Sequence, residues 1–88
     1  MRTGVQTEPV LARAIRVTED SLMIVLARGT VSIPWPECSP RLARATTAQR
    51  LAAELAPGGY GIHWPLVDED LAVGPLVETR RSQGDSGP

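Results

Sequence analysis

The sequence predicts an α+β domain: a three-stranded antiparallel β-meander followed by a short helical turn, one capped α-helix on one face of the sheet, and a C-terminal extended or helical segment. Three observations predict it. Residues 22–27 (LMIVLA) are apolar on both parities, as in a central strand, and turn signals flank them on either side. Thr46-Thr47-Ala48-Gln49 has the spacing of a capping box and is followed by Leu51, Ala52 and Leu55 on a narrow apolar stripe. A length of 88 residues allows one hydrophobic core and leaves no room for a second.

Taken in order, residues 1–8 carry no periodicity and are expected to be disordered. Residues 10–17 read as the first strand, with Leu11, Ile15 and Val17 on one parity and Arg13 breaking the pattern. Thr18-Glu19-Asp20-Ser21 is a turn, residues 22–27 are the central strand, and Arg28-Gly29 supplies a two-residue reversal into Thr30-Val31-Ser32-Ile33. Pro34 and Pro36 end that strand and hold Trp35 in extended backbone. Ser39-Pro40 opens a helical turn through Arg44, and the capped helix runs from Thr46 through Leu55 until Pro57-Gly58-Gly59 stops it. Gly61-Ile62-His63-Trp64-Pro65 is extended, residues 66–70 form an acidic loop, and residues 71–77 are an apolar segment interrupted by Gly74-Pro75. The domain spans residues 9–78, and residues 79–88 (TRRSQGDSGP) form a disordered tail.

A central strand apolar on both faces needs cover on both. The capped helix covers one. Either residues 62–77 fold over the other, or a second copy of the chain does, and the marginal core of so small a domain makes a homodimer a natural expectation.

Composition narrows the function classes. A net charge of −1 and a pI near 5.7 give no long-range attraction for nucleic acid or anionic membrane. The longest apolar run is far short of the roughly 20 residues of a spanning helix. A single cysteine, Cys38, and no leader-like segment point to the cytoplasm.

The densest polar cluster is His63 with Asp68, Glu69 and Asp70. Its spacing fits no calcium loop, and a solvated acidic turn is the commoner explanation, so no metal or other cofactor is expected. His63 with Asp68 or Asp70 is the one arrangement that invites an acid–base reading, but no Ser or Cys nucleophile is near in sequence. Beside Cys38, Glu37 raises the thiol pKa while a helix start at Ser39-Pro40 lowers it. Arg41, Arg44 and Arg50 read as solvated helix residues, and Gly58-Gly59-Tyr60-Gly61 lacks the frame of a phosphate loop. Trp35 and Trp64 either plug the ends of an aliphatic core or, in the case of Trp64, anchor a partner.

Three blocks, Pro40-Arg41-Leu42-Ala43-Arg44-Ala45-Thr46, Gly61-Ile62-His63-Trp64-Pro65 and Asp68-Glu69-Asp70-Leu71 with Val73, occur in the order and spacing of the bacterial DUF2442 family, which the chain resembles from Ala14 to Val77. It departs where members commonly carry Asp-Gly, here Arg28-Gly29, and where Gly74-Pro75 replaces a more helix-friendly ending. The resemblance implies a small α+β fold with no established activity. It also implies a gene often found beside another encoding a small protein, with candidate antitoxins among the members.

Two functional expectations follow. The first is a non-catalytic protein-interaction module, antitoxin-like or an accessory to a neighbour-encoded protein, binding through His63, Trp64, Asp68, Glu69 and Asp70. The alternative is a small-ligand regulatory domain with Trp35, Tyr60, His63 and Trp64 lining a pocket and Arg41 or Arg44 at its mouth.

Overall fold

A computed structural model of the chain describes residues 10–86, with side-chain environments for residues 10–80. The expectation for residues 1–8 lies outside the described residues.

The meander forms as the hydrophobic pattern requires. Strands β1 (Ala14–Val17), β2 (Ser21–Leu26) and β3 (Gly29–Pro34) make an antiparallel sheet in the order β1-β2-β3. The register pairs Ile15 and Val31 with Ile24, and Val17 and Ile33 with Leu22, so these apolar side chains share one face. The first strand is shorter than expected, Arg13 marking its ragged start. The second hairpin turns through Ala27-Arg28, one residue earlier than the sequence suggested, with Gly29 paired to Leu26 at φ 147°.

Trp35 is not extended. It opens a helical turn, α1 (Trp35–Cys38), in which Pro36 is tolerated because the first turn's N–H groups have no helical acceptor. In α2 (Pro40–Ala43) the Ser39 hydroxyl accepts from Leu42 N at 3.0 Å. In α3 (Thr47–Leu51) the capping box is complete: Gln49 N donates to Thr46 Oγ1 at 3.1 Å and Thr46 N to Gln49 Oε1 at 2.8 Å.

Helix α3 stops at Leu51 and buries no residue, so it does not lie on the sheet as expected. A second sheet does. Strands β4 (Glu54–Leu55), β5 (Gly61–Trp64) and β6 (Glu69–Ala72) pair antiparallel in the order β4-β5-β6, with a 3₁₀ turn at Pro57–Gly59 between the first two. Helix α4 (Val73–Ser86) follows directly. Pro75 falls in its first turn, where proline costs little, and the helix continues through the first eight residues of the segment expected to be a disordered tail.

The core gathers between the layers: Leu22, Ile24 and Ile33 from the first sheet, Ile62 and Trp64 from the second, Trp35, Cys38 and Leu42 from the helical turns, and Val73, Leu76 and Val77 from α4. All of it lies on the Leu22–Ile24 side of β2. Residues 62–77 therefore do not cover the opposite face, contrary to one of the two expectations. There Met23 and Val25 are half-buried, flanked in register by Arg16 and Ser32 and by Ala14 and Thr30. The polar neighbours Arg16, Ser32 and Thr30 shield that face in part.

Candidate functional site

Alternation on β5 decides which of the predicted residues are available. Ile62 and Trp64 point into the core, and His63 points out. In register, Glu54 of β4 lies on one side of His63 and Asp70 of β6 on the other, so a carboxylate, an imidazole and a carboxylate form one row across the outer face. His63 Nδ1 and Asp70 Oδ1 are 2.7 Å apart, with side-chain exposures of 39% and 74%, so the pair faces water. A hydrogen-bonded pair so exposed adds little to stability, which leaves both side chains accessible to further contacts.

Trp64 is not among the accessible residues. Its side chain is fully buried, its indole Nε1 donates to Arg50 O at 3.2 Å, and its ring stands edge-on to Trp35 at 6.3 Å and 83°. Trp35 is equally buried and donates to Thr18 O at 3.0 Å. Both tryptophans fill the core with their polar tips satisfied. Trp64 as a partner anchor is thereby corrected, the cause being its inward parity on β5.

The ligand pocket does not assemble. Of its four expected walls, Trp35 and Trp64 are core, His63 is on the outer face of the second sheet, and Tyr60 is 59% exposed. Arg41 donates to backbone carbonyls, and Arg44, exposed, ends the α2 turn. Elsewhere a groove lined by Glu37, Cys38, Leu71, Ala72, Pro75 and Leu76 has a volume of 210 Å³. Small-molecule pockets begin at about 300 Å³. At its floor the Cys38 thiol is pushed up to about 12, by burial first, with the Glu37 charge adding and Arg50 opposing. A thiol held neutral at physiological pH is not a nucleophile.

The acidic loop divides in two. Glu69 and Asp70 belong to β6, Glu69 opposite Trp64 and half-buried, Asp70 outward. Asp68 forms the turn, its backbone at φ 54°. Among the described residues no group of three or more His, Cys, Asp or Glu side chains is placed to hold a metal ion. Likewise no described helix is long and apolar enough to cross a membrane.

Glu54 is the residue that sequence reasoning missed. It lies where a helix was expected, and only the β4–β5 register brings it beside His63.

The family model described as "Protein of unknown function (DUF2442)" matches residues 12–82. The chain belongs to the DUF2442 family. A crystal structure of a protein of unknown function from Rhodospirillum rubrum ATCC 11170 shares the fold of this DUF2442 domain, with a TM-score of 0.70 and 28% identity over 82% of this chain and 89% of that one. No curated protein matches. The α+β architecture and the family assignment thus agree with the order and spacing of the PRLARAT, GIHWP and DEDL blocks.

Proposed function

We propose that this DUF2442 domain is a non-catalytic, cytoplasmic protein-binding module, an antitoxin-like or accessory partner of a small protein encoded by the adjacent gene. The observation that supports it is the cross-strand row Glu54–His63–Asp70, continued by the exposed turn residue Asp68, with Glu69 half-buried on the other parity at the end of the same hairpin. This is an open, acidic row presented by a three-stranded sheet. It suits a basic complementary surface better than it suits a reaction, because among the described residues nothing encloses a substrate or excludes water from His63. Electrostatic complementarity of that kind sets association rate and specificity.

The test is co-expression with the product of the adjacent gene, followed by gel filtration with light scattering at low salt. A stable complex of defined stoichiometry is expected. Two species eluting separately at their own masses contradict the proposal, and the same run reports whether the domain alone is a homodimer.

A further inference from the structure

We propose that Arg41 is the positioning residue of the β5–β6 turn, fixing the backbone from which Asp68, Glu69 and Asp70 are presented; its functional consequence rests on the binding role proposed above. The arginine comes from α2, 27 residues away in sequence, and its Nη1 donates to Asp68 O at 2.7 Å and to Val67 O at 3.4 Å. Both acceptors are main-chain carbonyls, so the contact holds the path of the turn.

Each end of this link is suited to that task. The platform is firm: Ser39 caps α2, Leu42 is fully buried in the core, and Arg50 donates to the carbonyls of Leu42 and Ala43 at 3.0 Å each. The turn is not firm by itself. Its own backbone bond, from Val67 N to Trp64 O, is long at 3.3 Å, and Asp68 is the one described non-glycine residue with positive φ. Backbone in that region persists where its surroundings over-determine it, and a guanidinium with several donors in a fixed fork is well made to do so.

Charge and position predict opposite outcomes, which makes the role testable. Removing a cation beside an acidic face strengthens attraction for a basic partner if charge alone matters. It weakens binding if Arg41 sets the geometry. The experiment compares wild type, Arg41→Ala and Arg41→Lys as full chains. Amide exchange of residues 66–70 is followed by NMR without partner, and affinity for the adjacent-gene product is measured at low salt. Arg41→Ala is expected to speed exchange in the turn about tenfold and to lower affinity at least about fivefold, with Arg41→Lys between the two. Unchanged exchange in the turn overturns the proposal, as does an affinity that stays the same or rises. If Arg41→Ala fails to fold, Arg41→Lys carries the same two readouts. Failure of the wild type to bind overturns the binding role and with it the functional half of this one, while the exchange data still decide whether Arg41 holds the turn.

Discussion

Replacing Trp64 separates a core residue from a contact residue. Its ring is fully buried, edge-on to Trp35, and its Nε1 satisfies Arg50 O. Trp64→Ala removes the ring and its partner contact together, at a cost of about 3–5 kcal/mol. Native domains hold only about 5–15 kcal/mol, and a chain this short falls near the lower end, so that variant is expected to be largely unfolded. Trp64→Phe is the more informative change. It removes the indole hydrogen bond to the Arg50 carbonyl, which keeps its bond from Ala53 N at 3.3 Å, for about 1 kcal/mol, and removes apolar area worth about 1 kcal/mol more. The expected total of about 2 kcal/mol corresponds to a fall in Tm of about 8–16 °C. Urea and thermal unfolding by circular dichroism measure it, alongside affinity for the adjacent-gene product at a temperature where the variant is folded. Affinity within about twofold of wild type is expected, since no interfacial contact is lost. A Trp64→Phe protein of unchanged stability but tenfold weaker binding would refute the placement of Trp64 in the core.

Two glycines should respond in opposite directions. Gly59 has φ +78° and a Cβ there would run into the Ala12 backbone carbonyl, so Gly59→Ala is expected to cost at least about 2 kcal/mol in urea unfolding and to loosen the Ala12 N–Gly59 O bond between the layers. Gly74 meets nothing within 4 Å in the first turn of α4, so Gly74→Ala is expected to be neutral or to stabilise by up to about 1 kcal/mol. Cys38 predicts a pH effect: its folded pKa is raised from 9.0 to about 12, so the stability it contributes is full below pH 9 and is lost as pH rises through that window. At pH 10 the loss is on the order of 1 kcal/mol, seen as a steeper alkaline decline for wild type than for Cys38→Ala; parallel declines would contradict burial of the thiol.

The first sheet was legible because β2 pairs greasy residues with turn signals on both sides, and the caps of α2 and α3 were legible because Ser39, Thr46 and Gln49 act within one turn of chain. The second sheet was not. Its β4 is two residues long and β6 reads Glu-Asp-Leu-Ala, two acidic residues followed by two apolar ones without alternation, so neither carries a periodicity of its own. They exist as strands because β5 offers Ile62 and Trp64 to the core and lends its edges to both neighbours. The site inherits the same limit. His63 and Asp70 were visible as a cluster, whereas Glu54 joins them only through a register set by tertiary packing. Trp64 was misplaced for the complementary reason: an aromatic beside an acidic loop resembles an anchor until strand parity turns it inward.

The central claim is that the outer face of the second sheet is read by its charge. Its most direct test is the affinity of the adjacent-gene product for wild type and for a variant carrying Glu54→Gln, Asp68→Asn and Asp70→Asn, titrated at low salt and again near 1 M, where screening shortens to about 3 Å. The account predicts at least tenfold weaker binding of the variant at low salt and a gap that closes as salt rises. Equal affinities at low salt, with the variant folded, would contradict it.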